Sequence, residues 1–172
     1  MALNNFPACL AFTLAAEGGF VDNPADPGGA TNMGVTLATL SAWLGRPASV
    51  AEVQALSQAD AGLIYHAHYW DAVDGDNLPA GVDLMLFDFG VNAGPGTAAR
   101  MLQQQLGVAV DGHIGPQTIA AAGSGSRPWL ITSLADAQMA FYQALPQFGT
   151  FGAGWSARTA KRQNTALAMA GS

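Results

Sequence analysis

The sequence predicts a mainly α-helical protein with a small β-hairpin inside one early loop. Apolar residues recur at helical spacing through most of the 172 positions. Gly, Pro, Asn and Asp gather at the breaks between those runs, where they stop helices and form turns. Alternating apolar and polar runs, the pattern of half-buried strands, are nearly lacking.

In chain order, Phe6, Leu10, Phe12 and Leu14 among alanines predict a helix between Asn4 and Ala16, buried over most of its circumference and stopped by left-handed glycine at Gly18-Gly19. The following loop to Thr36 holds two prolines and several glycines, and a hairpin fits within 18–36. Thr36 reads as the N-cap of a short helix to Leu44, with Gly45 as its stop. Ser57-Gln58-Ala59-Asp60 reads as a capping-box-like start for a helix carrying Leu63, Ile64, Tyr65, Tyr69 and Trp70, which Gly75-Asp76-Asn77-Leu78-Pro79 breaks. Val82 to Val91, Thr97 to Leu106, a helix opening at Pro116, Trp129 to Leu145 and Trp155 to Met169 complete the helices. The segment 123–128, GSGSRP, is the one linker-like stretch and is too short to separate independent domains.

Half of the residues are apolar and only 10% are charged, which excludes global disorder. Twelve acidic against six basic side chains give a net charge of -6, which repels nucleic-acid phosphates and anionic membranes. No apolar stretch approaches the ~18 residues that span a bilayer, so stable membrane insertion is not expected. Arg158, Lys161 and Arg162 read as a solvated basic helix face. A single cysteine, Cys9, rules out an intramolecular disulfide, and its place inside an apolar helix reads as burial rather than reactivity. The apolar run near the N-terminus has no preceding Lys or Arg and reads as a buried helix rather than an export signal, so cytoplasmic synthesis is expected. His66 and His68 are spaced two apart and the acidic stretch 71–76 lacks calcium-loop spacing, so neither metal nor other cofactor is expected.

The chemistry concentrates at Ala15-Ala16-Glu17-Gly18-Gly19-Phe20. A helix C-terminus favours cations, so a glutamate there has no electrostatic role in the fold. A carboxylic acid shielded by apolar neighbours keeps its proton more readily, as a general acid must. Asp26 follows nine residues later and Thr31 five after that, a spacing that lets the loop fold back with a second carboxylate and a hydroxyl across a sugar ring. Asp22 competes for the role of second carboxylate, and Asp22 and Asp26 are equally explained as turn residues bonding nearby amides. Tyr69 or Trp70 is expected to stack on a sugar, although aromatics at helical spacing are more often core, and Asn92 offers a donor and an acceptor to an N-acetyl group or else ends a helix.

The run from Glu17 to Thr36, EGGFVDNPADPGGATNMGVT, resembles the signature of glycoside hydrolase family 108, the peptidoglycan-cleaving N-acetylmuramidases of phages and bacteria. YHAHYWDAVDGDNLP from Tyr65, FDFGVNAG from Phe87, LGVAVDGHIGP from Leu106 and FGTFGAGWSAR from Phe148 are similar to further stretches of that family. The resemblance implies a lysozyme-like, two-lobed helical fold, with a catalytic lobe at 1–82 and a peptidoglycan-binding-type lobe at 83–172. It implies Glu17 as the catalytic acid. A looser similarity to phage-type lysozymes adds Asp26 and Thr31, which would position water or stabilise the oxocarbenium-like transition state. The implied activity is hydrolysis of the MurNAc-β-1,4-GlcNAc bond in the periplasm or cell wall, as an endolysin or a secretion-associated muramidase passed through a holin or secretion pore. A lytic transglycosylase and a non-catalytic wall-binding or secretion-assisting protein are the alternatives.

Overall fold

The structure, a computed structural model, describes residues 4–22 and 29–171. It is mainly helical, with one two-stranded antiparallel sheet among the described residues. The chain divides into two compact units. The early unit is Leu10–Ala67, and the late unit joins the described residues up to Cys9 with those from His68 onward.

Helix α1, Phe6–Leu14, ends sooner than expected, and glycine does not stop it. The amides of Ala16 and Glu17 bond back to the carbonyls of Thr13 and Leu14 at 3.0 and 3.2 Å, a tightened last turn that closes the helix. Neither Gly18 nor Gly19 has positive φ.

The expected hairpin forms from β1, Thr31–Asn32, and β2, Val35–Thr36, with Thr31 opposite Thr36 and Asn32 opposite Val35. Met33 and Gly34 form its two-residue turn at φ 49° and 75°, the doubly left-handed geometry whose twist matches the flanking strands. Val21 and Thr31 exchange both backbone hydrogen bonds at 2.8 Å, so a third stretch lies along the hairpin. The Asn32 amide donates to the carbonyls of Val53 and Gln54, which satisfies the end of α3, Val50–Gln54.

Helix α2, Leu37–Leu44, carries both expected ends: the Thr36 hydroxyl accepts from the Thr39 amide, and Gly45 is left-handed at φ 66°. Helix α3 was not expected, yet it has a full capping box between Ser49 and Glu52. Helix α4, Gln58–Tyr65, opens with Ser57 accepting from the Asp60 amide. It is shorter than expected because the chain continues as a π-helical turn, His66–Trp70, and then as two short 3-10 turns, Asp71–Val73 and Gly75–Asn77. The core of the early unit includes Ala30, Val35, Leu40, Val53, Ala61, Ile64 and Tyr65.

In the late unit, α5, Val82–Ala93, is buried at every residue from Val82 to Gly90, and α6, Pro95–Leu106, α8, Arg127–Gln143, and α9, Phe148–Ala170, pack around it. A helix hydrophobic on all sides needs such a surround. Helix α7, Pro116–Ser124, starts at the expected proline. Gly81, at φ 88°, brings the start of α5 against α9: a Cβ there would strike the Ala166 carbonyl oxygen. Asp83 is fully buried and accepts from the amides of Gly81 and Leu84 and from Asn5, while burial pushes its carboxyl above the ordinary range.

Of the three cations expected on a solvated face, Lys161 is exposed, but the two arginines are not solvated. Arg162 is fully buried and the Arg158 side chain is only 16% exposed. Both engage the buried carboxylate of Asp88: Arg158 donates through Nη2 at 2.7 Å and Nε at 3.1 Å, and Arg162 Nη1 lies 3.2 Å from the same group. Arg162 also sits 5.7 Å from the ring centroid of Phe89. One turn separates the two arginines, so both reach one partner on α5.

Candidate active site

The early unit holds Glu17 at a bend just past the tightened end of α1, half-buried. Its position follows from three backbone ties. The Glu17 amide bonds to Leu14, the Gly18 carbonyl accepts from Met33 at 3.2 Å, and Val21 bridges to Thr31. The segment carrying the carboxylate is therefore sewn along the hairpin on its C-terminal side.

Gly34, at the hairpin turn, fixes what stands beside that carboxylate. A Cβ at Gly34 would lie 3.1 Å from Glu17 Oε2 and 3.4 Å from Glu17 Cδ, and would collide with the Tyr65 hydroxyl. Glycine is thus required twice, for its left-handed backbone and for the approach of two polar side chains to its α-carbon. Tyr65, the last residue of α4, is 2% exposed and donates from its hydroxyl to the Met33 carbonyl at 3.0 Å. Carboxylate, phenol and turn peptide converge on one point.

Thr31 sits half-buried in β1, in the same unit, with its backbone engaged by Val21. Asp22 is exposed. Asp26 lies outside the described residues.

The remaining expected site residues belong to the late unit. Tyr69 is half-buried in the π turn, with His68 beside it at 6.5 Å between ring centroids. Trp70 is 1% exposed, meets Phe6 and Phe87 edge-on at 5.4 and 5.6 Å, and donates from Nε1 to Asp76 Oδ1 at 3.0 Å. Its ring is a core element, so of the two aromatics Tyr69 is the one with surface to offer a sugar. Asn92 is exposed near the end of α5, and its amide donates to the Asp88 carbonyl at 2.9 Å, a bond within its own helix.

Sequence reasoning grouped Tyr65 with the core aromatics and gave Gly34 no role. The signal for Gly34 was the Asn-Met-Gly turn at 32–34, because a two-residue hairpin ending in glycine marks a place where other groups can approach the backbone closely; Tyr65, 32 residues away, had no such local signal.

Among the described residues, no group of three or more His, Cys, Asp or Glu is arranged to hold a metal ion. Among them, too, no helix is long and apolar enough to cross a membrane.

Residues 10–94 match the family model described as Glycosyl hydrolase 108, and 97–160 match a Predicted Peptidoglycan domain. The solved structure of SagA from Brucella abortus is 47% identical, with a TM-score of 0.87 over 98% of this chain and 97% of that one. The chain belongs to glycosyl hydrolase family 108. None of the curated proteins matches it. The family-108 segment contains Glu17, the hairpin, Tyr65 and Tyr69, while the peptidoglycan-domain segment begins after Asn92, within α6, and contains α7 and α8 whole. Together the two matches support a peptidoglycan hydrolase.

Proposed function

We propose that the protein is an N-acetylmuramidase that cleaves the MurNAc-β-1,4-GlcNAc bond of peptidoglycan, with Glu17 as the general acid that protonates the leaving glycosidic oxygen. The observation that carries this reading is the Glu17 carboxylate at a helix-to-hairpin junction, beside Gly34 and within the segment that matches the glycosyl hydrolase model. Glycosidic cleavage asks for a proton on the departing oxygen and for charge or a nucleophile opposite the oxocarbenium-like centre. Glu17 answers the first demand. Asp26, with Asp22 as its competitor and Thr31 as a hydroxyl nearby in sequence, is the candidate for the second. Tyr69 is proposed to stack on a sugar face and Asn92 to bond an N-acetyl group through its carbonyl oxygen.

The substrate lies outside the cytoplasm, so action in the periplasm or wall after passage through a holin or secretion pore completes the proposal, in the setting of an endolysin or a secretion-associated muramidase. The test is product analysis on purified sacculi with wild type, Glu17→Gln, Asp22→Asn, Asp26→Asn and Thr31→Ala. Free reducing ends at muramic acid support hydrolysis, and anhydro-muramyl ends replace it with lytic transglycosylation. Loss in Glu17→Gln and Asp26→Asn alone supports the Glu17/Asp26 pair, and loss in Glu17→Gln alone supports a one-glutamate mechanism.

A further inference from the structure

We infer that Tyr65 is a positioning residue for Glu17, acting through the Met33-Gly34 turn; this rests on the proposed role of Glu17 as the acid. The Met33-Gly34 unit is held from two sides. On one side the Met33 amide bonds to the carbonyl of Gly18, the residue next to Glu17. On the other, the Met33 carbonyl accepts from the Tyr65 hydroxyl at 3.0 Å. The Glu17 carboxylate and the Tyr65 hydroxyl both border the space that a side chain at Gly34 would fill.

Tyr65 is suited to this work because its own freedom is small. It is 2% exposed at the last residue of α4, and its hydroxyl reaches 32 residues back to the turn. A buried phenol that donates to a backbone carbonyl leaves that carbonyl unsatisfied when removed, so the turn would relax to find another donor. Gly34 would move with it, and the backbone that stands beside the Glu17 carboxylate would shift. Acid catalysis depends on placement of the proton donor to within a fraction of an ångström, and a displacement of about 1 Å costs about 100-fold in rate. Substrate binding by groups elsewhere would be untouched. The expected signature is a fall in kcat with KM preserved.

Two variants probe this from opposite directions. Tyr65→Phe removes only the hydroxyl, and Gly34→Ala inserts a methyl group where that hydroxyl and Glu17 Oε2 converge. Each is assayed on soluble, uncrosslinked glycan strands well below its own melting midpoint, beside wild type and Glu17→Gln. The expected result is a kcat reduced about 10- to 100-fold in Tyr65→Phe, with KM within about twofold of wild type. Gly34→Ala should lose at least as much kcat. In the combined variant, absence of the hydroxyl makes room for the methyl group, so the two losses should be less than additive. A Tyr65→Phe protein that is folded and retains wild-type kcat overturns the inference, as does a loss confined to KM. If Tyr65→Phe does not fold, Gly34→Ala decides: wild-type kcat in a folded Gly34→Ala protein overturns the inference equally. An active Glu17→Gln protein would instead overturn the acid assignment itself, which separates the two failures.

Discussion

Asp88 carries more of the late unit's integrity than a surface ion pair can, because it neutralises two arginines inside the protein. Asp88→Asn leaves the fully buried Arg162 without a carboxylate, and such a change costs about 3–5 kcal/mol. Urea denaturation should show a lowered midpoint at unchanged slope, and a loss below about 1 kcal/mol would mean that the charge is compensated elsewhere. Arg158 and Arg162 were misread from sequence for a physical reason. Their spacing shows that they share a helix face, but the carboxylate that buries them is 70 residues from Arg158 and invisible to local pattern. Glu17 stands out in the sequence because it violates a local preference: an anion at a helix end that favours cations asks for another explanation, and the structure sets it beside the hairpin turn. Tyr65 does not, because its partner is chosen by the hairpin's return and nothing near Tyr65 in sequence announces it.

At the scale of elements, caps and turns made most of the fold readable: Thr36, Gly45, Ser57 and Pro116 sit where their chemistry places them. Helix α3 was missed although Ser49-Val50-Ala51-Glu52 spells its capping box, since five residues are too few to show periodicity. Helix α9 begins at Phe148 rather than near Trp155 because tertiary packing overrides the poor helix propensity of its three early glycines. The α3 cap also gives a pH-dependent prediction. A hydrogen bond from Arg46, then bonds from the Ser49 amide and hydroxyl, pull the Glu52 carboxyl down to about 2. A lowered folded value means that the stabilisation is fully present above the unfolded glutamate value of ~4.3 and is lost as pH falls through the folded one. The difference in melting temperature between wild type and Glu52→Gln should therefore be constant near neutrality and close between about pH 4 and 2. A difference that persists undiminished at pH 2 would assign the effect to lost packing instead. Ser49→Ala, which removes the hydroxyl half of the box, should cost about 1 kcal/mol by denaturant titration.

For the whole molecule, charge and thiol chemistry yield two further expectations. A protein of net charge -6 meets anionic walls against repulsion, so the initial rate of sacculus digestion should rise as salt goes from low to moderate ionic strength; a rate that falls would reveal local attraction that the net charge hides. Cys9 is fully buried, and burial, reinforced by Asp83 and Asp88, raises its thiol far above the ordinary range. It should resist alkylation at neutral pH until the protein unfolds, which makes it an internal reporter of folding for every variant described above. With that reporter confirming a folded protein, one measurement tests the central claim most directly: mass spectrometry of the soluble products released from purified sacculi by wild type and by Glu17→Gln at matched concentration. The account predicts muropeptide fragments ending in reducing muramic acid from wild type and a release at least about 100-fold slower from Glu17→Gln. Equal release by the two proteins would contradict it.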